Sequence, residues 1–217
     1  PTVGKWLIAL GIRLLGMEPA GWRLATAVAG IVTVVIVARA GRRLFRSTLL
    51  GTTAGLLLAV DGMSITVSRT AILDGILAMF VVAAFACLLI DRDRARAMYA
   101  DWADSGTGGS PLFAWRPWRL AAGILLGLAC GTKWSGLYAL AVFGVLTVCW
   151  EFSARRAAEQ RSPLLDTVFR DGPIALVTMV GSAVVVYLAS WTGWIAGDDG
   201  WSRQCAVLKP GTGLLGS

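Results

Sequence analysis

Long uncharged blocks alternate with short arginine-rich clusters along the chain. The uncharged runs occupy residues 24–38, 47–60, 75–90, 120–132, 134–150 and 172–197, interrupted only by the single charge of Lys133 between the fourth and fifth. They show neither the period-two alternation of a half-buried strand nor the narrow stripe of a soluble helix, so they predict helices apolar on every side. Crossing about 30 Å of hydrocarbon takes roughly 17–25 helical residues, so several runs cross only if flanking residues join them.

The arginines decide how the runs connect. Arg39, Arg42, Arg43 and Arg46 form one cluster, Arg92, Arg94, Arg96, Arg116 and Arg119 a second, and Arg155, Arg156, Arg161 and Arg170 a third, together 13 of the 20 basic residues. Cytoplasmic loops of membrane proteins are enriched in Lys and Arg, which places all three clusters on that side. An even number of crossings must then separate consecutive clusters. Six spans follow, at about 22–38, 47–62, 72–90, 119–132, 135–150 and 173–192. Tryptophan agrees: Trp22, Trp134, Trp191 and Trp194 fall at the outer ends and Trp115, Trp118 and Trp150 at the inner ones, the distribution of an interfacial belt.

The expected architecture is an all-α integral membrane bundle forming one domain over 1–217. Its parts are an outer interfacial segment at 1–20, cytoplasmic loops at 91–118 and 151–171, and the start of an outer loop at 193–217. The run from Trp6 to Ile12 is too short to cross and is flanked by Lys5 and Arg13, which suits a helix lying in the interface. The stretch DSGTGGSP in the first inner loop reads as a flexible connector, since no Gly-Lys-Ser/Thr follows its glycines as a phosphate loop requires.

Composition adds exclusions. Hydrophobic residues make up 56% of the chain and mean hydropathy is +0.69, as expected for a membrane protein. The net charge of +7 would suggest nucleic acid in a soluble domain, but topology explains these arginines and no nucleic-acid partner is expected. Histidine is absent, which removes His-based catalysis from these residues. Cys87, Cys130, Cys149 and Cys205 have neither metal-site nor disulfide-framework spacing, so no metal site is expected.

Polar residues at the outer ends supply candidate chemistry. They are Lys5, Arg23, Asp61, Ser68, Arg69, Asp74 and Lys133. Charges near membrane depth are costly, so a set on one face suggests a cavity where they pair or hold an ionic ligand. Arg offers a planar fork to phosphate oxygens and Lys a compact charge, which fits an anionic, lipid-linked phosphate. Two plainer readings stand beside this one. Lys133 can be a snorkelling lysine at a hairpin tip, and Arg69 can neutralise Asp61 or Asp74, although a spacing of five puts Arg69 and Asp74 about 140° apart on an unbroken helix.

The segments PTVGKWLIALG, GWRLATAVAG, AGRRLF, LLLAVDGMSITVSRTAILD and GLACGTKWSGLY resemble, in that order, the protein O-mannosyltransferases of bacterial type, glycosyltransferases of the GT-C class. SRTAILD and GTKWSGLY carry most of the likeness, since they combine unusual membrane charges in a fixed order. The resemblance implies a GT-C bundle in the plasma membrane with its active site on the non-cytoplasmic face. It implies inverting transfer of mannose from a polyprenyl-phosphate-mannose donor to Ser or Thr hydroxyls of secreted or membrane proteins, at the translocon and without a cofactor. It makes Arg23, Arg69, Lys133 and Lys5 donor-phosphate or site-shaping residues with Asp74 as an orienting partner. The family's catalytic Asp-Glu pair is expected ahead of Pro1, so the chain is expected to be a fragment, inactive alone, with no catalytic carboxylate of its own. The alternatives are another GT-C enzyme using a lipid-phosphate sugar, or a transporter with a cation-lined anion path.

Overall fold

The computed structural model describes residues 2–105, 115–160 and 162–196. Its elements are α1 (Thr2–Leu15), α2 (Pro19–Phe45), α3 (Thr48–Val60), α4 (Gly62–Arg69), α5 (Leu73–Ser105), α6 (Pro117–Thr132), α7 (Gly136–Ala157), α8 (Pro163–Ser190) and α9 (Thr192–Ala196). Among the described residues there are only helices and their connections, which bears out the all-α membrane architecture. In lipid a helix satisfies its own backbone groups, and large apolar side chains face outward on these helices: Leu49, Leu57, Val145 and Val177 are all more than 60% exposed.

Helices α5 and α6 occupy the centre. Ala84 and Leu88 of α5 meet Ala122 and Leu126 of α6, Leu140 of α7, and Met179 and Ala183 of α8. A second core joins Val3 of α1 and Ala29 of α2 to Ile76 and Phe80 of α5 and Ala129 of α6. Gly123, Gly127 and Gly131 share one face of α6 at intervals of four. A Cβ at Gly123 would lie 2.5 Å from Met179 O, and one at Gly127 2.6 Å from Ala183 O, so α8 rests on the bare backbone of α6. Such close approach maximises van der Waals contact where lipid tails remove any hydrophobic drive between helices.

Several boundaries differ from the sequence expectation. Four helices (α2, α5, α7 and α8) are long and apolar enough to cross, and a fifth span arises if α3 and α4 count as one path bent by 58°. The straight span expected at 47–62 is therefore broken at Asp61, which leaves α3 and starts α4 by accepting the Ser64 N–H at 2.7 Å. The span expected at 119–132 is α6, only 16 residues or about 24 Å long, shielded by its neighbours.

The regions expected as loops at 91–118 and 151–171 are largely helical. α5 continues to Ser105, α6 starts at Pro117, α7 runs to Ala157 and α8 resumes at Pro163. Charged residues continue these helices because their side chains pair across the bundle, which hydropathy does not register. Most of the DSGTGGSP connector and the outer loop beyond Ala196 lie outside the described residues. Segment 1–20 does form a helix, but α1 is seated on the bundle, with Val3, Gly4 and Gly11 buried. α8 is underwound by two π-helical stretches, Thr167–Asp171 and Leu176–Gly181, on either side of Pro173, whose ring nitrogen has no proton to donate.

Candidate functional site

The end of the bundle that charge topology expects to face outward, the outer end below, gathers the N-terminus of α1, the α4–α5 junction, the α6–α7 turn and the end of α8. Thr2 Oγ1 donates to Ser190 Oγ at 3.0 Å, and Gly4 packs on Leu73 and Thr132. Lys133 leaves α6 in an extended conformation while its N–H still bonds Ala129 O at 2.9 Å. The turn is tight because Gly136 lies on the backbone of Ala129 and Cys130, where a Cβ would approach within 2.8 Å. This geometry sends Lys133 Nζ to Asp74 Oδ1 at 2.7 Å. Asp74 stands in the first turn of α5, where the exposed amides of a helix start favour a carboxylate. Both side chains remain about half exposed, so the pair is open to a ligand.

The five residues expected to shape the site share this end, but only Lys133 and Asp74 touch. Arg69 sits in the last turn of α4, Arg23 in the second turn of α2 and Lys5 on α1, all with exposed side chains. Among the described residues no carboxylate lies within ion-pair distance of these three. Arg69 pairs with neither Asp61, which is engaged as a helix cap, nor Asp74, which is held by Lys133. Arg69 instead stands beside an apolar cleft of about 380 Å3 between α2, α3 and α4, floored by Ala27, Ile31 and Val34 and edged by Ser64 and Ser68. Gly30 admits α4 there, since a Cβ would lie 2.2 Å from Ser68 Oγ. Trp134, Tyr187, Trp191 and Trp194 form an aromatic chain with successive centroids 6.1–6.2 Å apart at the same end.

Sequence reasoning missed a second constellation at the opposite end. Arg116 grips Asp91 through Nε at 2.9 Å and Nη2 at 2.8 Å, and reaches Glu151 Oε1 at 2.5 Å. Arg119 bonds the same two carboxylates, meeting Asp91 at 3.1 Å. Tyr99 OH donates to Glu151 Oε2 at 3.2 Å, and Arg155 forks onto Asp171 at 2.6 and 2.8 Å. These groups are buried, and they tie α5, α6, α7 and α8 together. Burial pushes the Arg116 guanidinium down, but its bonds to Asp91 and the charge of Glu151 outweigh this and hold it above its ordinary value. The arginines were read as loop charges marking topology. The available signal was Asp91 and Glu151, lone carboxylates closing apolar runs beside arginine clusters.

Among the described residues no three of the His, Cys, Asp and Glu side chains converge as a metal site would need. The outer end offers cations and hydroxyls, a donor set for an anion rather than a metal.

Fold and site together define a polytopic helical membrane protein with cationic side chains gathered at one end. Residues 16–164 match the family described as Dolichyl-phosphate-mannose-protein mannosyltransferase, and the chain belongs to that family. It is 47% identical over 208 residues to a Polyprenol-phosphate-mannose--protein mannosyltransferase of Mycolicibacterium smegmatis, covering 94% of this chain and 40% of that one. The proteins of the same name from Mycobacterium tuberculosis and Corynebacterium glutamicum are 43% and 34% identical, again over 94% of this chain and 40% of theirs. The chain thus spans 40% of the length of the curated relatives it matches. No solved structure matches it.

Proposed function

We propose that the whole protein transfers mannose from polyprenyl-phosphate mannose to Ser or Thr hydroxyls of translocated proteins, with inversion. The relatives' names supply the donor class and the protein acceptor. The observation that carries the proposal is this end of the bundle, which holds the Lys133–Asp74 pair, Arg69, Arg23 and Lys5, with an apolar cleft beside Arg69. A prenyl phosphate has the same two-part chemistry, with a tail to shelter and an anion to neutralise.

In the reaction the acceptor oxygen attacks C1 of mannose, the C1–O bond to phosphate breaks, and polyprenyl phosphate leaves. Arg69 and Lys133 meet the charge that grows on the departing phosphate, where fixed cations lower the barrier most. Asp74 keeps Lys133 aimed and available. The acceptor's proton goes to a carboxylate that family resemblance assigns to an Asp-Glu pair ahead of Pro1. The donor lipid is a substrate, and no cofactor enters the proposal. The site faces the non-cytoplasmic side of the plasma membrane, with acceptors arriving at the translocon as secreted or membrane proteins.

The test is mannose transfer by the full-length protein from polyprenyl-phosphate mannose to a Ser/Thr peptide. Arg69→Ala should lower transfer at least tenfold with insertion intact, and Arg69→Lys should recover part of it because charge survives without the bidentate fork. Wild-type turnover in both variants would remove Arg69 from the site, and no mannosylated peptide from the unmodified protein would overturn the activity.

A further inference from the structure

At the arginine-rich end, a cavity of about 630 Å3 opens between the last turns of α2 and the middle of α5. Its walls differ sharply in chemistry. Ala86, Leu89 and Ile90 give an apolar floor, and Arg39, Arg42, Arg43 and Arg46 form the rim. Asp93 is the lining carboxylate, and it is already committed to Arg43 at 2.6 Å and Arg92 at 2.8 Å. Among the described residues, Arg39, Arg42 and Arg46 have no carboxylate within ion-pair distance, and all three are exposed. The rim therefore keeps an excess of three guanidiniums above an apolar wall.

The backbone gives an independent indication. Arg46 links α2 to Ser47, the N-cap of α3, and has φ 51°, ψ 29° in the left-handed region. This is the helix-ending conformation that Gly adopts without strain and a long side chain does not. Turn geometry alone would select Gly here, so the arginine side chain has a use that the turn does not supply. Topology requires cations somewhere on this side, but it requires neither a strained one nor several converging on one apolar-floored cavity.

We propose that this cavity binds the headgroup of an anionic glycerophospholipid from the leaflet on the arginine-rich side, with phosphate between Arg39, Arg42 and Arg46 and acyl chains against Ala86 and Ile90. Guanidinium forks match phosphate oxygens, and the lipid-facing flanks of α2 and α5 continue the apolar floor. The site lies at the opposite end of the bundle from Lys133 and Asp74, so it is separate from the proposed donor site.

The experiment measures saturable binding of acyl-labelled phosphatidylglycerol to the purified full-length protein in neutral detergent, with labelled phosphatidylcholine in parallel. Arg39→Gln/Arg42→Gln/Arg46→Gln should weaken phosphatidylglycerol binding by about tenfold or more, given several-fold per cation near an anionic headgroup. Arg94→Gln/Arg96→Gln/Arg156→Gln removes equal charge elsewhere at the same end and should change it less than twofold. Arg46→Gly relieves the left-handed strain, so it should fold at least as well as wild type yet bind several-fold more weakly, keeping the test readable if the triple variant does not insert. Equal losses in the two triple variants, equal binding of the two lipids, or unchanged binding in Arg46→Gly would each overturn the proposal. Displacement of the lipid by millimolar inorganic phosphate as fully as by unlabelled phosphatidylglycerol would overturn it too, in favour of a free-phosphate site.

Discussion

Lys133 Nζ meets Asp74 Oδ1 at 2.7 Å across 59 positions of sequence, joining the α6–α7 turn to the first turn of α5. The lysine that interrupts an otherwise uncharged stretch is thus at the tip of a hairpin and has a partner. An exposed pair of this kind contributes about 0–1 kcal/mol to stability, because water screens it and two side chains must be held. Asp74→Asn and Lys133→Met should therefore leave the thermal midpoint of the full-length protein within a few degrees of wild type. Mannose transfer should fall at least tenfold in Lys133→Met. A large loss of stability with undiminished transfer per folded molecule would make the pair a structural tie.

The opposite end should behave in the reverse manner. Removing one partner from a buried ionic network leaves an uncompensated charge, at a cost of about 3–5 kcal/mol. Glu151→Ala, which strips Arg116 and Arg119 of a shared acceptor, should sharply reduce the yield of folded protein in detergent. Asp101→Ala, an exposed carboxylate on the same side, is the control and should be neutral. Comparable melting of the two variants would count against the network as a structural clamp.

Glycine spacing on α6 gives a third test. Gly127→Ala places a methyl against Ala183 O, and overpacking of this kind typically costs about 1–3 kcal/mol. Gly62→Ala, with nothing within 4 Å of its Cβ, should be neutral or slightly stabilising. Thermal melting of both variants decides, and indifference at Gly127 would mean that α8 does not rest on α6 as described.

Topology can be tested by single cysteines in an otherwise cysteine-free full-length protein. Gly136 looks suitable from its position at the hairpin tip, but it is buried against Ala129 and has no room for a thiol. Trp134, 69% exposed, is the better outer probe and Arg156 the inner one. Trp134→Cys should react with a membrane-impermeant reagent only from outside and Arg156→Cys only from the cytoplasm. Reaction of both from one side would overturn the hairpin.

Charge parity and apolar runs made the helical bundle legible, and with it the helix ends away from the arginine clusters, such as the starts of α5 and α7. The break at Asp61 was not, because its cause is local competition: an Asp side chain caps α4 better than it continues α3. Loop boundaries were missed for a different reason. Asp91, Arg116, Arg119 and Glu151 each lower hydropathy when counted singly, and only their mutual neutralisation lets the helices carry them. At the outer end, Lys5, Arg23, Arg69, Asp74 and Lys133 stand out in sequence by their unusual depth, but sequence could not say which two touch. The Gly123, Gly127, Gly131 spacing was readable and was passed over, since a lone glycine period becomes meaningful only with a helix to lie against it.

The carboxylate–guanidinium network also sets where the bundle can give way. Four helices are stitched at one end by bonds that salt cannot reach, while the ion pair at the other end is bathed in solvent and weakens as ionic strength rises. The bundle resembles a sheaf bound near its base. The helices that flank the cleft beside Arg69, α2, α3 and α4, take no part in this knot, so they can shift without loosening it.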